Sequence, residues 1–269
     1  MNKWVKESIK IAKGHGYLDR LSEIYPVNLE VGRNISQSDI KIIRDAFQRK
    51  SSGRLILTLL NLKRFPIDDP YIGFFRKDRD ALRRNPKTVK RIGKKLFEMS
   101  IEEIIVGAAR AKTPSRQIGQ MFKNWLSRLK YPILPREKFL KYKGIAILEG
   151  GDTSLMNFAK KELGYKRQKG LDLVMRVKSK FIIGESKLIT ASGGTQDKSF
   201  REAISFIKNR NKNRKVIQIA ILDGVVWLTG NSKNRKLSLY DTIQDLNNKE
   251  IALSALLLSK FIKEQKKNI

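Results

Sequence analysis

Apolar positions along this chain recur at two spacings, and the spacing changes about halfway. In the first half they fall every three to four residues, the period of one helix face. Trp4, Val5, Ile9, Ile11 and Ala12 mark such a face over residues 3–13, which Gly14 ends. Ser38 and Asp39 open a second helix that runs through residue 47, with a hydroxyl to cap it and an acid in its first turn. Residues 55–62 continue as a buried apolar helix. Pro66, Asp68, Asp69 and Pro70 then break the pattern, and adjacent acids among prolines are turn chemistry rather than a metal pair. The aromatics that follow, Tyr71, Phe74 and Phe75, read as a packed loop, with stacking on bases as the alternative. Pro86 starts a helix whose Val89, Ile92, Leu96 and Phe97 form one stripe. Ser100 with Glu103 is a capping box, and Thr113-Pro114 opens a helix over 115–129 with Ile118, Met121, Phe122, Trp125 and Leu129 inward.

In the second half, runs with the two-residue period of a strand appear between helical stretches. Residues 144–148 and 216–222 read as strands, and 154–163 and 197–209 as helices. Asp223-Gly224 signals a hairpin turn feeding 225–228, and 251–262 reads as one more apolar helix. The expected fold is α/β (α+β), with a mixed sheet flanked by helices. Pro132 and Pro135 mark a linker or bend, which divides the chain into a mostly helical region, 1–135, and a sheet-bearing region with a C-terminal helix, 136–269.

The most informative stretch is 170–196. Two alternating runs, 171–177 and 181–188, flank Lys178-Ser179-Lys180. A two-residue turn at Lys178-Ser179 pairs Val177 with Lys180 and sets Asp172 directly opposite Glu185, with Cβ atoms about 5 Å apart. A three-residue turn separates them onto opposite faces. Glu185 and Lys187 share a face in either case. Two carboxylates that close repel unless a cation sits between them. Mg²⁺ suits the position because it accepts one or two carboxylates and keeps its remaining sites for water and phosphate oxygens. A lysine beside it is placed to orient the attacking water or help deprotonate it.

Asp172, followed thirteen residues later by Glu185-Ser186-Lys187, resembles the signature of the PD-(D/E)xK nuclease superfamily, and the sequel Ser192-Gly193-Gly194-Thr195-Gln196 looks like prokaryotic type II restriction endonucleases. Leu171 stands where the name-giving proline would be. The resemblance implies a restriction-endonuclease-like αβββαβ core in which Asp172 and Glu185 hold Mg²⁺ and Lys187 serves the attacking water. It further implies hydrolysis of double-stranded DNA to 5′-phosphate ends, by a homodimer matched to a twofold site. Glu149 or Glu162 is the candidate for the extra acid that some family members carry. A junction resolvase or repair nuclease of the same superfamily is the nearer alternative. The more distant one is a basic nucleic-acid-binding protein without catalysis, in which the hairpin is simply exposed and salt-bridged.

Composition narrows the partners. Lys and Arg number 57 against 26 acids, a net charge of +31, and such an excess calls for a polyanion, most often nucleic acid. No run approaches the ~20 apolar residues of a membrane span, and the N-terminus carries no signal peptide. The absence of cysteine removes disulfides and thiolate metal sites, which fits a cytoplasmic protein, and the resemblance implies a prokaryotic one that uses Mg²⁺ and no small-molecule cofactor. A single histidine, His15, lies between Gly14 and Gly16 and reads as a loop residue, so nuclease chemistries built on histidine are set aside. Lys90 and Lys94, on the cationic side of the 86–97 helix, are candidate phosphate contacts, against a solvated surface as the plain reading. Arg116, Gln117 and Gln120 carry the side chains that read base edges, and Gln196 and Lys198 stand where a helix N-terminus would meet the scissile phosphate.

Overall fold

The computed structural model describes residues 1–26, 34–110, 117–191, 193–228 and 239–267. The chain divides into two compact units, one formed by Met1–Val27 with Ser115–Ile269 and the other by Asn28–Pro114. The expected boundary lay at 135; by contacts the first 27 residues and those from 115 onward group with the sheet.

The first unit begins with α1 (Lys3–Ala12) and α2 (Tyr17–Ile24). Asn2 caps α1 by accepting from the Trp4 N–H at 2.8 Å. The regular elements among the second unit's described residues are all helices: α3 (Gln37–Gln48), α4 (Ser52–Leu60), α5 (Ile72–Lys77), α6 (Ala81–Arg84), α7 (Pro86–Phe97) and α8 (Ile101–Ala109). Its core gathers the expected stripes, Ile43, Leu55, Ile56, Leu59, Ile92 and Leu96, with Phe75 and Ile104. The capping box forms as expected, with Ser100 Oγ accepting from the Glu103 N–H and Glu103 accepting from the Ser100 N–H. The cap of α3 is Ser36, not Ser38, since it is the Ser36 hydroxyl that reaches the Asp39 N–H.

The chain then returns to the first unit with α9 (Ile118–Leu126), β1 (Ile133–Leu134), α10 (Arg136–Lys141), β2 (Ile145–Leu148) and α11 (Asp152–Leu163). The hairpin β3 (Leu173–Val177) and β4 (Lys180–Ile189) follows, then α12 (Gly194–Lys208) and β5 (Val216–Gly224). A 3₁₀ turn (Val225–Trp227), α13 (Leu239–Gln244), β6 (Ile251–Leu253), a second 3₁₀ turn (Ala255–Leu257) and α14 (Leu258–Lys267) complete it. The six strands form one mixed sheet in the order β1 to β6. β3 runs antiparallel to both its neighbours, β2 and β4, whereas β1 with β2, β4 with β5 and β5 with β6 are parallel. A mixed sheet flanked by helices is thus the architecture, as expected of a restriction-endonuclease-like fold.

Three elements differ from the sequence reading. Residues 131–142 hold the edge strand β1 and a short helix, because Pro132 C=O accepts from the Ile147 N–H and pins the segment to the sheet. The apolar run at 251–262 is split: Ile251–Leu253 adds β6 to the sheet edge and only the remainder is helical. Period alone does not separate a three-residue buried strand from a helix turn. Asp223-Gly224 makes no hairpin. β5 runs on through Gly224, paired with Ile189 of β4, and the chain leaves in a 3₁₀ turn. Gly224 has φ +97°, and a Cβ there would lie 2.0 Å from the Ile189 carbonyl oxygen, so the glycine serves a close strand approach rather than a tight turn.

Candidate active site

β3 and β4 connect through the two-residue turn, with Val177 opposite Lys180 and Lys178 at φ +53°. The register carries Leu173 opposite Gly184, and the Asp172 N–H donates to Gly184 O at 3.0 Å. Asp172 therefore stands opposite Glu185, the register in which both carboxylates share a face. β4 is an interior strand of the sheet, between β3 and β5, so residues on both its faces are buried unless a cleft reaches them.

Such a cleft of about 530 Å³ lies at the C-terminal end of β4. Asp172, Ser186, Lys187 and Leu188 line its sheet side, Ile118 and Gly119 contribute from α9, and Thr195, Gln196 and Ser199 from α12. Asp172 Oδ2 accepts from the Ser186 N–H at 2.8 Å and from Lys187 Nζ at 3.2 Å. Lys187 Nζ also donates to Ser186 O at 3.0 Å, so two of its three protons are fixed by the chain.

Glu185 sits deeper. Its side chain is 0% exposed, neither oxygen accepts a hydrogen bond from the described residues, and the ammonium of Lys169 makes an ion pair with Oε2 at 2.9 Å without hydrogen-bond alignment. Burial raises the Glu185 pKa above its ordinary value; Lys169, and the charges of Lys187 and Arg167, pull the other way without prevailing. Lys169 is shared: it donates to Glu202 Oε2 of α12 at 2.7 Å. That contact holds the Glu202 pKa down. Tyr165 completes the surround. Its hydroxyl donates to Lys169 O at 3.2 Å, and burial, then the nearby Glu185 charge, push its pKa up to about 12.

A second polar layer lies on the other face of β4. The Ser186 hydroxyl is 3.4 Å from the hydroxyl of Tyr25, the residue that ends α2, and Tyr25 donates to Asp223 Oδ2 at 2.9 Å. Asp223 also accepts from Ser254 Oγ at 2.5 Å and from the Ala255 N–H at 3.3 Å. It is fully buried with no cation at its carboxylate among the described residues, and burial pushes its pKa up to about 7 against the pull of those three donors. The network ties α2, β4, β5 and the 3₁₀ turn at 255–257 together behind the cleft.

The other sequence candidates distribute as follows. Gln196 lines the cleft, its amide tied to Thr190 through Thr190 N–H to Oε1 at 3.2 Å and Nε2 to Thr190 Oγ1 at 3.0 Å. Lys198 lines a separate cleft of about 550 Å³ with Arg167, Arg201 and Glu202. Gln117 precedes α9, and Gln120 is exposed and donates to Asn124 Oδ1 within that helix at 2.8 Å. Arg116 lies outside the described residues, as does Ser192 of the glycine-rich sequel. Lys90 and Lys94 belong to the second unit and are exposed, Lys94 with Glu98 at 3.8 Å. Glu149 is exposed, and Glu162 pairs with Arg136 at 2.6 Å. In the second unit the aromatic segment splits. Ile72 and Phe75 pack inward, while Tyr71 and Phe74 are 50% and 67% exposed, with Arg91 5.6 Å from the Tyr71 ring centre. Lys169, Glu202 and Asp223 escaped the sequence reading. Only Lys169, three residues before Asp172, had any proximity to suggest it.

Chemically, the site offers oxygen donors alone, which suits a hard divalent cation. Among the described residues no three of His, Cys, Asp and Glu converge as a ready cage. The orphaned, buried carboxylate of Glu185 opposite Asp172 is nevertheless a fitting pair for an ion that takes two carboxylates and fills its other positions from solvent and phosphate. Among the described residues no helix is long and apolar enough to cross a membrane. No curated protein and no solved structure matches the chain. The model of the Tsp45I type II restriction enzyme family matches residues 2–265, nearly the whole of it. With the mixed sheet and the Asp172, Glu185-Ser186-Lys187 hairpin in place, the chain belongs to the Tsp45I type II restriction enzyme family and is a restriction endonuclease, a hydrolase whose substrate is DNA.

Proposed function

We propose that the protein is a type II site-specific deoxyribonuclease that hydrolyses double-stranded DNA with Mg²⁺ and leaves 5′-phosphates. The observation that carries this reading is the facing pair Asp172 and Glu185, with Lys187 Nζ 3.2 Å from Asp172 Oδ2 at the wall of an open cleft. Asp172 and Glu185 are the residues that would hold Mg²⁺. When bound, the ion supplies electrostatic stabilisation of the charge that develops on the scissile phosphate. Lys187 is held by Asp172 and Ser186 O, and its remaining proton is directed to orient the attacking water or a phosphate oxygen. Ser186 N–H fixes the Asp172 carboxylate, so the rotamer of the acid is set before DNA arrives.

The net charge of +31 supports duplex DNA as the partner, with Lys90 and Lys94 of α7 among its phosphate contacts and residues 1–135 contributing to grip and recognition. Gln196 and Lys198, near the start of α12, are assigned to the phosphate region, and Arg116, Gln117 and Gln120 to base reading. A homodimer in the prokaryotic cytoplasm, acting on a twofold site, fits the same reading. The test is incubation of the purified protein with plasmid DNA and Mg²⁺, followed by sequencing of the fragment ends. Discrete bands with 5′-phosphates and one common terminal sequence are expected, with cleavage lost in Asp172→Ala while DNA binding persists. Undiminished cutting by Asp172→Ala removes the site assignment, and fragments without a common sequence point to a structure-selective nuclease of the same superfamily.

A further inference from the structure

We propose that Lys169 is a positioning residue that acts as a displaceable internal counter-ion, occupying the Glu185 carboxylate in the metal-free protein and handed to Glu202 when a divalent cation enters. The inference rests on the reading of Glu185 as a metal ligand and adds to it a pair of residues that control its occupancy.

The geometry is asymmetric. Lys169 Nζ lies 2.7 Å from Glu202 Oε2 in a well-formed hydrogen bond, and 2.9 Å from Glu185 Oε2 in an ion pair that is not aligned as one. Glu185 is fully buried, and that ammonium is its one direct ion-pair partner among the described residues, with the charges of Lys187 and Arg167 acting from further off. Glu202 is 40% exposed and Lys169 28%, so the ammonium can leave Glu185 and stay on Glu202 without being stripped of water or of a partner. Lys169 and Glu202 both lie outside the sheet, on the loop after α11 and on α12, so the exchange leaves the strands in place. A divalent ion at Glu185 repels an ammonium at 2.9 Å from the same carboxylate, and the single negative charge of that fully buried acid does not compensate both cations. Lys169 therefore competes with the metal, and Glu202 favours the metal by giving Lys169 somewhere to go.

The two partners consequently have opposite effects, which an ordinary structural ion pair does not produce. The experiment measures Mn²⁺ affinity by calorimetry on the full-length protein without DNA, using Lys169→Met, Glu202→Gln and the double variant. Lys169→Met is expected to bind Mn²⁺ at least tenfold more tightly than the parent. Glu202→Gln leaves Lys169 pinned on Glu185 and is expected to bind several-fold more weakly. The double variant is expected to follow Lys169→Met. Equal or weaker binding by Lys169→Met, the same direction of change in both single variants, or no Mn²⁺ bound by parent or variants overturns the proposal. Should Lys169→Met not fold, Glu202→Gln, whose side chain is partly exposed, decides alone: unchanged or tighter binding refutes the hand-over. Asp172-dependent DNA cleavage in the parent is scored in parallel. If it holds while the affinities do not move, only the role of Lys169 falls. If cleavage does not depend on Asp172, the nuclease site assignment falls instead.

Discussion

Replacing Glu185 by glutamine is expected to make the protein more stable while abolishing cleavage. The carboxylate is fully buried and, among the described residues, neither oxygen accepts a hydrogen bond and Lys169 is the one ion-pair partner, held off line, so in its charged form it has given up its water for little. An unsatisfied buried polar group costs about 1–3 kcal/mol, and a charged one more. The ion pair offsets part of this, but the raised pKa of Glu185 means that burial outweighs the attraction. A neutral glutamine carries the smaller penalty, and Lys169 keeps Glu202 as a partner. The net gain is on the order of 1 kcal/mol, or about 2–4 °C in Tm for a chain of this size. The pH dependence gives a second check. An acid whose pKa is raised on folding is favourable when protonated and becomes a burden as pH climbs above its ordinary value, 4.5. The advantage of Glu185→Gln should thus be full at pH 8 and shrink as pH falls toward 4.5. Thermal and urea melts of both proteins across that range, with plasmid cleavage at pH 8, are the assay. A less stable variant at pH 8, a gain that does not shrink on acidification, or retained cleavage refutes the reasoning.

Other substitutions probe neighbouring parts of the account. Asp223, ionising at about 7 inside the protein, should make stability decline as pH rises from 5 to 8, by an upper bound of about 3 kcal/mol, and Asp223→Asn should flatten that profile in urea melts. Gly224→Ala forces a Cβ against the Ile189 carbonyl at a positive φ and should cost at least about 2 kcal/mol by the same measurement. Lys90→Ala and Lys94→Ala should each reduce the slope of log affinity against log salt by about 1 in DNA-binding titrations, without altering the sequence of the cut ends.

How far the sequence revealed this site depended on whether a feature was local. The hairpin was legible because its two alternating runs are neighbours in the chain; the sequence left a two- or a three-residue turn open, and the structure takes the two-residue register that brings Asp172 opposite Glu185. The helical stripes of the second unit were legible for the same reason: Ile92 and Leu96 lie one turn apart on one face of α7 and pack into one core. What depended on distant chain was hidden. β6 is a strand because β5 offers it an edge, and nothing within Ile251–Leu253 records that edge. Gly224 looked like a turn glycine because its real reason, the approach of Ile189, is 35 positions away in the chain. Glu202 reaches Glu185 only through Lys169, across three separate elements, so no spacing rule could connect them.

The account stands on a cation site formed by Asp172 and Glu185 on facing strands. Crystals grown without metal and soaked in Mn²⁺ test it most directly by anomalous scattering. The prediction is a peak within about 2.5 Å of a carboxylate oxygen of each residue, near the usual range for oxygen ligands. A well-ordered peak held by other residues, with Asp172 still bound to Lys187 and Glu185 still bound to Lys169, contradicts it.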